Sequence, residues 1–338
     1  MFSFPTTRML KEAKDAHALK HSGVDQAQPR TGMVILAFFL VFLVSMLAQS
    51  VILSFFQIGA ILSSDVFREM VASPPQSYSE IMAYVAALLS SFPDWLMAAQ
   101  LFSTAFTIAA CLFYCRAIEK RSWVSLGFAK KGAVLEYVAG LGIGLALFGG
   151  AVAFCCATGQ LTLSVTPSPA VGMIILYFFG FVVQGMSEEI LCRSYLMVSM
   201  QNGCPLWVAV LTNALIFTAL HIANPGVTPL ALVNLTLFGI FASLYTLRRG
   251  SIWGIGAIHT VWNFAQGNIF GISVSGLSGC PSLLTATVSE GGALIHGGAF
   301  GMEGGLGVTI VLLVGCVVMM VVKTKKREIV TPALMSAT

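Results

Sequence analysis

Charge is what this sequence has least of. Lys and Arg number 18 and Asp and Glu 14 in 338 residues, 9% of the chain, against about 25% in a soluble domain. So few charges cannot cover a soluble surface, and a mean hydropathy of +0.87 excludes disorder. The net charge of +4 is therefore read as a topology signal, and no nucleic-acid partner is expected. Other absences narrow the chemistry. The eight Cys are dispersed with no CxxC pair, so neither a disulfide framework nor a Cys-based metal site is indicated. No HExxH stands anywhere in the chain, which removes the zincin arrangement. No Asp lies inside an apolar stretch, so nothing there completes a Ser–His–Asp triad.

What is abundant is apolar sequence, 57% of the chain. Stretches long enough to span a bilayer, about 17–25 residues, stand near 33–62, 95–118, 134–157, 170–198, 205–221, 228–247, 252–270 and 306–322. The predicted fold is an all-α polytopic transmembrane bundle of about eight spans. Residues 1–32 read as a cytoplasmic N-terminal tail, 33–322 as the bundle and 323–338 as a cytoplasmic C-terminal tail. The first apolar run is too long for the core of a secretory signal and reads as a retained span. Lys and Arg cluster in the N-terminal tail, after the second and sixth spans, and at Lys323, Lys325, Lys326 and Arg327. That alternation places both termini in the cytoplasm. The basic residues Lys130, Lys131, Arg248, Arg249 and the C-terminal cluster are expected to face anionic lipid. Residues 63–82 read as a polar outer loop, and the Gly- and Ser-rich stretch 271–305 as a non-helical segment outside the bilayer or packed on protein. Gly140 and Gly144 form a small-residue spacing that suits close helix packing.

Charges inside apolar runs are costly, about 2.5–3.5 kcal/mol each at a helix centre. Three sit together in the fourth span: Glu188, Glu189 and Arg193. Glu189 and Arg193 are four apart and can pair on one helix face. Glu188 points elsewhere, about 140° from Arg193 at 100° per residue, and has no predicted partner in its own helix. A carboxylate so placed suits general acid–base work. Two of the five His also lie in spans: His221, four after Phe217, and His259, four before Asn263. At 1.5 Å per residue, Glu188 and His221 lie about 22 and 27 Å from a turn near residue 203, so one cavity is able to collect both.

These residues carry a resemblance. Glu188-Glu189-Ile190-Leu191-Cys192-Arg193, Phe217 to His221 and His259 to Asn263 match, in order, the EExxxR, FxxxH and HxxxN motifs of the CPBP family. This is the family of CAAX-protease and bacteriocin-processing intramembrane proteases, also called Abi. The stretch Arg121–Phe128 resembles the family's lead-in, and the motif-bearing core covers about 120–270. The resemblance implies an endopeptidase in which Glu188 and His221 activate water, His259 and Asn263 bind the oxyanion, and Glu189 and Arg193 hold the helix. Substrates of the family's eukaryotic members are CAAX sequences beside a lipidated cysteine. For this chain the expected partners are membrane lipids and a peptide or membrane-protein substrate, in peptide or protein maturation or bacteriocin immunity, at the plasma membrane of a bacterium. The chemistry favours a metal-free site with no cofactor, because Asn263 is a poor zinc ligand and a good oxyanion donor. A zinc version would use Glu188, His221 and His259 as ligands and pass water activation to Glu189. Two other classes remain open to the residues alone. One is a proton-coupled transporter using the intramembrane Glu and His; the other is a non-catalytic scaffold or immunity factor.

Overall fold

The computed structural model describes residues 7–20 and 31–322. The C-terminal tail 323–338, with its four basic residues, and residues 1–6 and 21–30 of the N-terminal tail lie outside the described residues.

All eight apolar stretches are helical. Five are long and apolar enough to cross a membrane: Thr31–Ser63, Asp94–Ile118, Ala133–Ala157, Val171–Met200 and Pro229–Arg249. Leu206–Ala219 and Leu306–Val321 are shorter apolar helices. The eighth, Trp253–Phe264, continues as a π-helical turn, Ala265–Ile269. Exposed Leu, Phe, Val and Ile cover the outward faces, as in Leu36, Phe55, Val134 and Leu313, which is where a bilayer replaces water as solvent. The architecture is an all-α helical bundle, and the chain is an integral membrane protein.

The bundle closes around two helices. Ile190–Met200, the second half of the Val171–Met200 span, is buried throughout. Trp253–Phe264 is buried from Gly254 to Asn263. Small residues let neighbours reach them. A Cβ on Gly140 would collide with the Gly254 carbonyl and the Ala257 side chain, and one on Gly144 with Val261 and the Ile258 carbonyl. The small-residue spacing of the third span is thus its contact with the helix that carries His259.

Beyond the spans, sequence reading missed three features. Residues 63–82 are not an irregular loop: they contain the helix Asp65–Ala72 and the start of Tyr78–Ser90. Ser64 and Ser77 cap these helices by accepting from Phe67 N–H and Glu80 N–H at 3.1 and 3.3 Å. The spacing Ser77-x-x-Glu80 is a capping signature legible in the chain. Second, the fold has a two-stranded antiparallel sheet, β1 (Leu161–Val165) with β2 (Leu284–Val288), pairing Leu163 opposite Ala286. These strands belong to the loops after the third and seventh spans, so both loops lie at one end of the bundle. Third, part of the N-terminal tail, Arg8–Lys20, is a helix with Met9, Leu10 and Ala13 buried. Ser122 donates to its Glu12, which docks it on the loop at the other end.

The charge inventory also changes. Arg121, Glu136 and Glu303 are buried along with Glu189 and Arg193. Glu136 pairs with Arg249 at 3.3 Å, and Arg248 donates to the carbonyls of Met319 and Met320 at 2.8 and 2.6 Å. Both arginines expected to face lipid are thus engaged in holding helix ends, while Lys130 and Lys131 are exposed.

Candidate active site

The first motif sits where a helix changes pitch. Val171–Glu189 is α-helical, and Ile190–Met197 is π-helical. Such widened turns recur at functional sites because they re-aim side chains. Immediately before the motif, Gly185 leaves the first and third motif helices nearly touching: a Cβ there would lie 2.9 Å from the Thr260 amide nitrogen. Across this contact Thr260 Oγ1 donates to the Phe181 carbonyl at 3.3 Å.

Glu189 and Arg193 are completely buried and pair at 3.0 Å through Oε1 and a terminal guanidinium nitrogen. The other terminal nitrogen of Arg193 donates to the Gly239 carbonyl at 3.5 Å. Its guanidinium lies 4.7 Å above the Phe217 ring, a cation–π contact that desolvation strengthens. The phenylalanine of the second motif therefore covers the arginine of the first.

His259 completes the cluster. Its Nδ1 donates to Glu189 Oε1 at 2.8 Å, since a carboxylate can only accept, and Nε2 lies 3.6 Å from Glu188 Oε2. Phe238 and Phe217 flank the ring with centroids at 5.0 and 6.2 Å. One turn on, Asn263 donates through Nδ2 to Gln184 Oε1 at 3.0 Å. Gln184 in turn donates to Glu188 Oε1 at 2.5 Å. Asn263, Gln184 and Glu188 thus form a hydrogen-bonded chain across two helices, with His259 beside its Glu188 end. The expectation that Glu188 has no partner in its own helix is corrected. Gln184 stands four residues before it, and the same i, i+4 rule that pairs Glu189 with Arg193 supplies the contact. Glu188 Oε2 is itself buried and makes no hydrogen bond, although the side chain as a whole is 28% exposed, against 5% for His259.

His221 lies just past the end of Leu206–Ala219. Its Nδ1 donates to the Phe217 carbonyl at 2.8 Å, which leaves Nε2 as its outward nitrogen, and its ring stands 4.8 Å from that of Phe217. Among the described residues it makes no hydrogen bond to Glu188, His259 or Asn263. It joins them through Phe217, which both His rings contact. The structure brings Glu188, His259 and Asn263 together directly and His221 at one remove.

Among the described residues no three His, Cys, Asp or Glu side chains converge for a metal ion. Nδ1 of His259 is committed to Glu189, and His221 stands apart.

Residues 170–265 match the family model described as type II CAAX prenyl endopeptidase, Rce1-like. This segment is similar to the CAAX-protease family. The Rce1-like match takes in all three motifs, while the Arg121–Phe128 lead-in and the Gly-rich segment lie outside it. It supports an intramembrane protease in general. No curated protein and no solved structure matches the chain. The Rce1-like segment leans on its lead-in nonetheless: Ser194 donates to the Leu126 carbonyl at 2.7 Å and Arg121 to Ser199 at 3.2 Å.

Proposed function

We propose that this protein is a metal-free glutamate endopeptidase that cleaves a peptide or membrane protein at the bilayer. The observation that carries the reading is the arrangement of Glu188, Gln184, Asn263 and His259. It holds one carboxylate oxygen without a hydrogen bond 3.6 Å from His259 Nε2, with Asn263 linked to the same carboxylate through Gln184.

Amide hydrolysis needs a base for water, donors for the oxyanion and an acid for the leaving amine. Gln184 occupies Oε1 of Glu188, so Oε2 is the oxygen that takes the proton from water as its hydroxide adds to the carbonyl carbon. His221, with its outward Nε2, helps orient that water. The tetrahedral oxyanion is met by Nδ2 of Asn263 and Nε2 of His259. With Nδ1 donating to Glu189, Nε2 of His259 donates from the imidazolium form, whose charge Glu188 and Glu189 balance. When the C–N bond breaks, the proton held by Glu188 passes to the departing nitrogen and the carboxylate is restored. Glu189 and Arg193 take no part in bond making; they fix His259 and the helix.

The proposed setting is the plasma membrane of a bacterium with both termini cytoplasmic, and the proposed role peptide or protein maturation or bacteriocin immunity. The deciding assay compares cleavage of a membrane-peptide substrate by wild type with Glu188→Ala, His221→Ala and His259→Ala, each checked for folding. Full activity in a folded Glu188→Ala protein would end this mechanism.

A further inference from the structure

Residues 271–305 lie outside the matched segment, yet the stretch from Ser273 to Leu277 touches all three motif-bearing elements. Val274 packs with Tyr177 and Phe181 of the first motif helix. The Ser273 carbonyl accepts from Gln266, one turn beyond the third motif. The Ser275 carbonyl accepts from Asn224 Nδ2 at 3.0 Å. Asn224 is three residues past His221 and closes the turn that carries it, its N–H donating to the His221 carbonyl at 3.1 Å.

Ser275 is the centre of this arrangement and is backbone-strained. Its φ is +47°, a left-handed conformation that a residue with a Cβ adopts at a cost. Something must hold it there, and Glu303 does. One oxygen of the Glu303 carboxylate accepts from both the N–H and the Oγ of Ser275, at 2.9 and 2.6 Å. The other accepts from the indole N–H of Trp262 at 3.2 Å. Trp262 is buried next to Asn263 in the third motif. Glu303 is itself 8% exposed, and its backbone carbonyl accepts from Asn234 at 2.8 Å. A buried carboxylate with both oxygens bonded is a high-stakes group in a protein this poor in charge.

We propose that Glu303 is a positioning residue of the hydrolytic site: it locks Ser275 in the left-handed conformation and, through the Ser275–Asn224 hydrogen bond, fixes the turn that presents His221. The proposal rests on the protease reading. It gives the Gly-rich segment a role as a fixed strap across the three motifs, and it supplies the constraint that His221 lacks from Glu188, His259 and Asn263.

The test uses full-length protein and two readouts. Glu303→Gln keeps the shape but presents one amide oxygen where three donors converge on two oxygens. Its kcat should fall about tenfold, the effect of roughly one buried hydrogen bond, with KM within about twofold. Adding Ser275→Gly should restore most of kcat, because glycine enters the left-handed region freely. The second readout needs no turnover. Modification of His221 by diethylpyrocarbonate, followed by mass spectrometry, should quicken severalfold in Glu303→Gln and return in the double variant. Wild-type kcat with an unchanged His221 rate in Glu303→Gln would overturn the proposal. So would a loss of kcat that Ser275→Gly leaves uncorrected while His221 labels as in wild type. If Glu188→Gln cleaves as well as wild type, it is the protease reading that fails, and the labelling alone decides the link from Glu303 to His221.

Discussion

His259 Nδ1 lies 2.8 Å from Glu189 Oε1, the same oxygen that holds Arg193 at 3.0 Å. One buried carboxylate oxygen therefore both orients the histidine ring and holds the Arg193 guanidinium. This is how an acidic neighbour disciplines an imidazole in many catalytic sites. It also separates the two adjacent glutamates by partner: Glu189 Oε1 holds His259 and Arg193, Glu188 Oε1 is held by Gln184, and the second oxygen of each makes no hydrogen bond.

That separation is measurable. Glu188→Gln should leave the thermal midpoint in detergent close to wild type and lower cleavage by about 10²–10⁴-fold, the range for loss of a general base. Glu189→Ala should do the opposite first. It strands Arg193 in a fully buried position, and breaking a buried pair costs about 3–5 kcal/mol. Paired melting and activity measurements on the two variants check the division.

Gln184 is predicted to act with Asn263. Asn263→Ala removes a proposed oxyanion donor and should reduce kcat by about 10²–10³-fold. Gln184→Ala should cost less, about tenfold, by freeing both Asn263 and Glu188 from their hydrogen bonds. Because the residues share one hydrogen-bonded chain, the double variant should be little worse than Asn263→Ala alone. Strictly multiplicative losses in kcat would show that Gln184 does not act through Asn263.

Prolonged treatment with a chelator should leave cleavage in place. Lasting inactivation that added zinc reverses would instead assign the metal-dependent route, with Glu188, His221 and His259 as ligands.

Gly144→Ala should loosen the contact between the third span and the helix of His259. The added methyl meets Val261 and the Ile258 carbonyl, and overpacking of this kind costs about 1–3 kcal/mol. A lowered thermal midpoint, with reduced activity at temperatures near it, is the expected result.

Cysteines placed at Leu163 and Ala286, which stand directly opposite in the sheet, should form a disulfide on oxidation, since facing strand residues bring Cβ atoms within bridging range. Mass spectrometry of the cross-linked peptide reads the outcome. Absence of the bridge in folded protein would contradict the pairing of the two loops.

The sequence alone determined the class. Apolar run length and the scarcity of charge define a helical membrane bundle, because a bilayer forces each span to satisfy its own backbone. Local spacing determined the Glu189–Arg193 pair and the Glu188, His221, His259 and Asn263 candidates, since i, i+4 neighbours are properties of a single helix. The capping serines at Ser64 and Ser77 were equally legible. What the tertiary structure decided are relations between distant segments. That Phe217 shields Arg193, that Asn263 reaches Glu188 through Gln184 and that His221 stands off behind Phe217 all follow from how helices rotate and cross. The β1–β2 pairing and the link from Glu303 to Ser275 join residues far apart in the chain. Periodicity reports which face a residue occupies, not what that face meets. Only packing brings the partners together, and in this protein packing sets His259 against both glutamates, bonded to Glu189 and 3.6 Å from Glu188.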